Sequence, residues 1–393
     1  MFTAISTYLL MVVLIWWAYC GYIWLLFLFY VLSPTRCTSC RAGVRPRMAV
    51  LVPCYNEAAM VARKVENMRT LSYPVEALEV YFLNGLSTDG TGEALVQAIA
   101  DQPGWRLIET GVSGKINQLN VGLALLSADV EIVVNTDMDA VLNPDVLERF
   151  AQAFASDESV AVVGANISPG QCLGIEKNYW ENQNTLRILE SAVYTSSIVV
   201  APCYAFLRTL VSAFPEDCVA DDIYIAFKAN TQGLRTRYLV EAKGCELRCP
   251  TSAEQFMSHK FRKGNAFFQE LLRVLYMLPR MSYWWKVIYL TKLMQLAVIP
   301  LVLPYFCFAT LSFLLSGGGL FNLAVLCCGA LLVFMIASSI CINRFKVVHF
   351  NGSRQRGQGI LVPFLVANLI LILVGLTYPL YRQDSNYRKV RTE

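Results

Sequence analysis

Val130-Glu131-Ile132-Val133-Val134-Asn135-Thr136-Asp137-Met138-Asp139 is the stretch of this 393-residue chain whose reading decides its fold. An apolar run of β-branched residues reads as a buried parallel strand, so the acidic pair that follows stands at a carboxyl end, where open α/β sheets place their ligands. Two carboxylates there can hold a hard divalent cation, Mg²⁺ or Mn²⁺, which takes its remaining ligands from substrate phosphates and water. That chemistry points to a nucleotide-activated substrate. Taken alone, Asp-x-Asp reads equally as a solvated turn or a helix cap, so the neighbouring loops must decide.

Working outward, Met48 to Val52, Leu78 to Phe82, Trp105 to Ile108, Val130 to Val134 and Val160 to Val163 predict strands. Glu57 to Arg69, Thr91 to Ala100, Lys115 to Leu126 and Asp145 to Ala155 predict the helices between them. The alternation is that of a doubly wound, Rossmann-like α/β sheet, whose right-handed crossovers gather the loops after the strands along one edge. After the first strand come Pro53-Cys54-Tyr55-Asn56-Glu57: the proline fixes φ, Asn56 and Glu57 can start a helix, and Tyr55 offers a flat face for a base. The second is followed by Asn84-Gly85-Leu86-Ser87-Thr88-Asp89-Gly90-Thr91, rich in capping and turn residues. Next stands Ser113-Gly114-Lys115, a lysine at a helix start that can meet a phosphate or solvent, with Asn117 and Asn120 on one helical face.

The flanks are of another kind. Hydrophobic residues make up 55% of the chain and charged ones 16%, the balance of an integral membrane protein. Leu9 to Leu32 carries no charge, and as a helix reaches about 36 Å, enough for a hydrocarbon core of about 30 Å. It reads as an anchor, since it lacks the basic n-region and cleavage site of a signal peptide. Apolar blocks from Val287 to Ile342, broken by Gly317-Gly318-Gly319, and from Ile360 to Leu380 bring the count to four spans. Pro300 and Pro304 would kink the second, Lys292 and Gln295 suit an interface or a polar groove, and Tyr276 to Trp285 reads as a surface-lying lead-in.

Arg36, Arg41, Arg45 and Arg47 put the end of the first span on the cytoplasmic side of an inner (plasma) membrane, and Arg344, Lys346, Arg354 and Arg356 agree. The basic tail, with Arg382, Arg388, Lys389 and Arg391, falls on the other side unless one block is re-entrant. The organisation expected is an N-terminal span (1–35), a cytosolic α/β domain (46–275) and an interfacial segment with about three spans and a basic tail (276–393). Cys37, Cys40, Cys245 and Cys249 could form a four-thiolate zinc site, although the spacing of the second pair is loose. The formal charge of +4 calls for no nucleic acid, because the basic residues cluster beside the spans, where anionic lipid head groups lie.

Taken in order, Val52 to Glu57, Ser87 to Thr91, Gly114-Lys115 with Asn120, and Asp137 to Asp139 before Pro144-Asp145 resemble the motifs of the family 2 inverting glycosyltransferases. Within that family the chain is most similar to the membrane-embedded cellulose, hyaluronan, chitin and poly-N-acetylglucosamine synthases. The resemblance covers about residues 46 to 275 and implies a GT-A fold. It also implies a nucleotide site of Pro53, Tyr55, Glu57, Asn84, Lys115 and Asp137, with the metal on Asp137 and Asp139. Ala220-Asp221-Asp222 stands where the family has an acidic pair before a helix, here Ile223 to Thr231, and the family's catalytic base maps to Asp222. Asp221, His259, Lys260, Phe261 and Arg262 map to the acceptor and diphosphate site.

Two departures stand out. The Asp-Asp-Gly-Ser stretch of the family is here Asn84-Gly85-Leu86-Ser87, and Gln-x-x-Arg-Trp is answered by Met257-Ser258-His259-Lys260-Phe261, which loses the glutamine. Tyr179 to Ser197, with Trp180, Asn182, Asn184 and Arg187, reads as an amphipathic helix beneath the spans.

The function these features imply is a metal-dependent, inverting transfer from a nucleotide sugar, UDP-linked by resemblance, to a growing polysaccharide with coupled export. Single transfer to a lipid or polyprenyl phosphate is the second reading, favoured by the altered Gln-x-x-Arg-Trp motif. A non-catalytic nucleotide-sugar-binding partner of a synthase is the third. The donor sugar, the linkage and any oligomeric state leave no signal in the sequence.

Overall fold

The computed structural model describes residues 2–32, 45–350, 361–378 and 380. The decisive strand lies two residues further on than its apolar run suggests: Ile132–Thr136 (β4) is buried throughout, as befits a strand covered on both faces. It pairs in parallel with Met48–Cys54 (β1), which pairs in parallel with Leu78–Asn84 (β2), and that in turn with Trp105–Glu109 (β3). Alternate residues of β1 serve opposite layers. Met48, Val50 and Val52 meet Val61, Val65 and Leu95 from helices Ala58–Arg69 (α3) and Thr91–Ile99 (α4). Ala49 and Leu51 meet Ile116, Leu119 and Leu123 from Lys115–Leu125 (α5).

Beyond β4 the sheet ceases to be parallel. Ala140–Leu142 (β5), Val160–Pro169 (β6), Cys203–Leu207 (β7) and Arg235–Glu246 (β8) complete an eight-stranded order β3-β2-β1-β4-β7-β6-β8-β5. In it β7 runs antiparallel to both β4 and β6, and β5 antiparallel to β8. The helices here are Val146–Ser156 (α6), Gly174–Val193 (α7) and Asp221–Thr231 (α8). The expected doubly wound, Rossmann-like sheet is thus present, mixed rather than parallel throughout. β7 was not legible because it is five residues with cysteine and alanine at two positions, and β8 because its alternation is broken by charge at Arg235, Arg237 and Glu241.

Phe2–Trp16 (α1) and Tyr22–Leu32 (α2) join through a π-helical turn, Trp17–Gly21, into one rod. Ala253–Val274 (α9) leads through a 3₁₀ segment, Leu275–Arg280, to Tyr283–Leu293 (α10) and, past a second π turn at Met294–Val298, to Ile299–Ser316 (α11). Gly318–Phe350 (α12) and Leu361–Thr377 (α13) follow. Among the described residues, three helices are long and apolar enough to cross a membrane: Phe2–Leu32, Tyr283–Ser316 and Gly318–Phe345. The fourth expected span gives the 17-residue α13, about 26 Å long, short of a hydrocarbon core of about 30 Å. α13 packs its Ile370 and Val374 on Phe256 of α9.

The two π turns face one another. Gln295 Nε2 donates to the Ala18 carbonyl at 2.6 Å and Trp17 Nε1 to Thr291 Oγ1 at 3.1 Å, so Gln295 does meet a polar partner. Lys292 Nζ pairs with Glu190 of α7 at 2.9 Å, and the Tyr22 hydroxyl donates to the same carboxylate at 2.8 Å. Tyr22, Leu26, Trp285, Ile288 and Tyr289 belong to the same apolar cluster as the strands, so helices and sheet share one core.

Of the candidate zinc ligands, Cys37 and Cys40 lie outside the described residues. Cys245 and Cys249 are free thiols, and no group of three His, Cys, Asp or Glu able to hold a metal occurs among the described residues. Arg36, Arg41, Arg354, Arg356 and the basic tail are likewise outside them.

Candidate active site

The loops after β1, β2 and β3 are stitched together before any ligand is considered. Asp89 serves both α3 and α4: its Oδ1 accepts from Thr91 N at the start of α4, at 3.1 Å, and its other oxygen reaches the neighbouring α3. Asp89 Oδ2 accepts from Ala58 N at 3.0 Å, Ser87 Oγ from Asn56 N at 2.9 Å, and the Thr91 hydroxyl from Glu57 N at 2.8 Å. Asn56 takes φ 52°, a left-handed value that asparagine tolerates, and its Oδ1 accepts from Thr88 N at 2.8 Å. Pro53 is buried inside β1, whereas Tyr55 stands 52% exposed at the mouth. Asn84 is spoken for: its Nδ2 donates to both Glu109 carboxylate oxygens, at 3.0 and 2.8 Å, and its Oδ1 accepts from Ser87 Oγ.

At the end of β4, Asp137 and Asp139 are both buried. Lys115 Nζ lies 3.0 Å from Asp137 Oδ1 and 3.0 Å from Asp221 Oδ2, tying the strand end to the start of α8. Asp221 Oδ2 also accepts from the Tyr204 hydroxyl at 2.7 Å and from Asn135 Nδ2 at 3.3 Å. Asp222 is held by backbone N–H groups, from Ala201 at 3.1 Å and from Ile223 at 3.0 Å. Burial first, and then the charge of Asp221, push its carboxyl up to about 6, while Lys115 and Lys263 pull the other way.

Several partners were invisible in the sequence because only the fold brings them here. Arg248, in the loop after β8, bridges Asp139 Oδ2 through Nε at 3.0 Å and Glu57 Oε1 through Nη2 at 2.6 Å, so Glu57 is tied to Asp139. Lys64 of α3, 1% exposed, donates to Thr136 Oγ1 at 2.9 Å and to the Ala140 carbonyl at 2.8 Å, clamping the turn that carries both aspartates. Burial lowers its ammonium to about 8. Glu246 is pushed up to about 7 by burial, with Asp139 and Asp137 adding to the rise and Lys263 opposing it. No motif flags any of the three.

α9 divides its basic run. Lys260 Nζ is 6% exposed and 2.8 Å from Glu176 of α7, over the Tyr179 ring at 3.8 Å, with Trp180 Nε1 on the same carboxylate at 2.9 Å. Burial lowers it to about 8. Phe261 packs on the side of α13. His259 is buried and its pKa driven far below the ordinary value by burial and by Lys263, Lys260 and Arg262, so the imidazole is neutral. Arg262 is half-buried beside them. Lys263, one turn on from Lys260, is the α9 cation whose charge reaches Asp222 and Glu246, and it lies 5.2 Å from the Trp180 ring.

A hard divalent ion fits Asp137 and Asp139 by donor chemistry: two buried carboxylates, with the other ligands left to phosphates and water.

Comparisons with known proteins agree on the kind of molecule. Residues 49–214 match Glycosyl transferase family 2, and residues 132–338 match Glycosyl transferase family group 2. A beta-monoglucosyldiacylglycerol synthase of Synechocystis sp. is 32% identical over 114 residues, 28% of this chain and 23% of that protein. A poly-beta-1,6-N-acetyl-D-glucosamine synthase of Staphylococcus aureus is 24% identical over 239 residues, 57% of this chain and 55% of that one. The chain thus spans about a quarter to just over half of these curated relatives' lengths. In structure it is similar to the mannosyltransferase PcManGT from Pyrobaculum calidifontis, solved with GDP-Man and Mn²⁺: TM-score 0.69 and 22% identity, covering 95% of this chain and 98% of that one. That likeness supports the GT-A-like fold.

Proposed function

This chain belongs to the family 2 glycosyltransferases, and from that premise we propose that it is a membrane-integrated, metal-dependent, inverting transferase facing the cytosol. Its donor is a nucleotide sugar, and its acceptor hydroxyl is presented at the bilayer surface. The observation that carries the reading is the double contact of Lys115, which holds Asp137 and Asp221 at 3.0 Å each. Through it the end of the sheet suited to a leaving diphosphate and the helix start that bears Asp222 are held side by side.

Inversion is a single displacement. Asp222 takes the proton of the acceptor hydroxyl as its oxygen attacks the anomeric carbon. A divalent ion on Asp137 and Asp139 supplies, when bound, positive charge for the departing diphosphate. Lys115 keeps the buried carboxylates from repelling one another, Lys64 fixes the turn between them, and Arg248 holds Asp139 against Glu57. A non-catalytic sugar-binding partner would need neither a held base nor its neighbouring lysine.

Of the acceptors, a specific observation favours a lipid, whose hydroxyl gives Asp222 its proton; a polyprenyl phosphate would attack through an already ionised phosphate oxygen and leave Asp222 no proton to take. Between the spanning helices, Tyr8, Ile15, Ala18, Ile299, Phe306, Phe313 and Leu331 form an apolar cluster, a lining that suits anchoring better than the passage of a polar polymer. A relative named for glucolipid synthesis points the same way. Nucleoside diphosphate release by the purified protein from a donor panel, with and without Mn²⁺, tests the enzyme reading: release that does not depend on Asp222 would sink it. Sizing the radiolabelled product decides the acceptor, one sugar on lipid being expected and a ladder on a gel contradicting it.

A further inference from the structure

Gln118, in the first turn of α5, is 2% exposed. Its Oε1 accepts from the backbone N–H of Cys54 at 3.1 Å, and among the described residues this is the side chain's one hydrogen bond. The contact fixes the amide's orientation, since the reverse would set N–H against N–H. Nε2 therefore turns toward the end of β2, where a Cβ built on Gly85 would lie 2.0 Å from it. Any side chain at 85 and the amide of 118 exclude each other, so Gln118 holds the volume that the Asn84-Gly85 departure leaves open. The exposed ring of Tyr55 stands on the adjoining loop, and Asn84 is consumed by Glu109 and Ser87. In the order β2-β1-β4 this corner lies two strands from Asp137, about 10 Å at the usual spacing. That is the reach between a nucleobase and its diphosphate.

We infer that Gln118 reads the nucleobase of the donor and selects keto bases. The inference rests on the nucleotide-sugar reading above. A pinned N–H₂ group meets O4 of uracil or O6 of guanine as a hydrogen-bond acceptor. Cytosine and adenine carry amino groups at those positions and set donor against donor inside a buried corner.

The test is equilibrium binding of UDP, GDP, CDP and ADP to the full-length protein in detergent with Mn²⁺, read by calorimetry. UDP and GDP are expected to bind at least about tenfold more tightly than CDP and ADP, the cost of one buried unmatched donor. Gln118→Glu keeps the shape and the acceptor for Cys54 but offers an acceptor to the base, and is expected to abolish or reverse the order. Gly85→Ala displaces the amide without altering residue 118 and is expected to narrow the preference to under about threefold. Four equal affinities in the wild type, or an unchanged order in both variants with unfolding temperatures intact, overturn the inference alone. Failure of all four to bind overturns the nucleotide-sugar reading with it.

Discussion

Asp222, the proposed base, shows how surroundings can make a weak base useful. Burial and the charge of Asp221 raise its carboxyl to about 6, so at neutral pH it is mostly ionised yet holds a proton better than a free aspartate. The sign follows: as pH falls through about 6 the base fills with a proton and transfer stops. kcat/KM should therefore climb with pH up to about 6 and flatten above, and a profile level down to about pH 4.5 would remove Asp222 from the role. Asp222→Asn should lower kcat by about 10²–10⁴-fold while nucleotide affinity, measured by calorimetry, stays put. Asp139→Asn is expected to act on the metal instead, shifting half-saturation for Mn²⁺ upward by about 10-fold or more in a metal titration of activity.

At the scale of elements, α7 and α9 meet through a buried ion pair whose lysine the motif reading places at the acceptor and diphosphate site. Lys260 and Glu176 are 6% and 0% exposed in their side chains. Truncating one leaves the other charged and sealed in, so Lys260→Ala should cost about 3–5 kcal/mol in denaturant unfolding, whereas the paired change Glu176→Gln with Lys260→Met should recover most of it. If Lys260 is structural, the double variant turns over near the wild-type rate; if it binds phosphate, turnover stays lost although stability returns.

The same pair marks where sequence reading stops. β1, β2 and β4 were legible because both their faces are buried, and β3, an edge strand of half-buried apolar residues, because the loops around it carry turn chemistry at regular intervals; those loops also drew attention to Asp137, Asp139 and Lys115. Lys260 looked like part of an exposed basic run, since His259, Lys260, Arg262 and Lys263 are consecutive in character, and only the crossing of α7 over α9 separates the paired lysine from Lys263. Gln118, Lys64 and Arg248 are ordinary polar residues in amphipathic stretches or a loop. What makes them special is contact with residues at sequence separations of 64, 72 and 109, which no local pattern records.

Across the whole molecule the question is how firmly the sheet layer sits on the long apolar helices. Glu190, with a side chain 0% exposed, is the joint: Lys292 of α10 pairs with it, Tyr22 of α2 donates to it, and Ser197 N donates to Oε2 at 2.8 Å. Burial alone would raise its carboxyl, but Lys292 and the Ser197 contacts outweigh that and hold it below the ordinary value. A lowered folded-state value means that the joint's contribution is full above the usual glutamate range, about 4.3, and fades as pH falls through it. Glu190→Ala strands the Lys292 ammonium in an apolar seam, and should cost about 3–5 kcal/mol. The more telling result is cooperativity. With one core running from β1 through Tyr22 to Trp285, tryptophan fluorescence and far-UV circular dichroism should report a single unfolding transition for the wild type in detergent. In Glu190→Ala the same probes are expected to separate, the sheet melting before the helices. Coincident transitions in the variant would mean that the apolar seam alone binds the two parts, and that the buried charge cluster contributes nothing to their coupling.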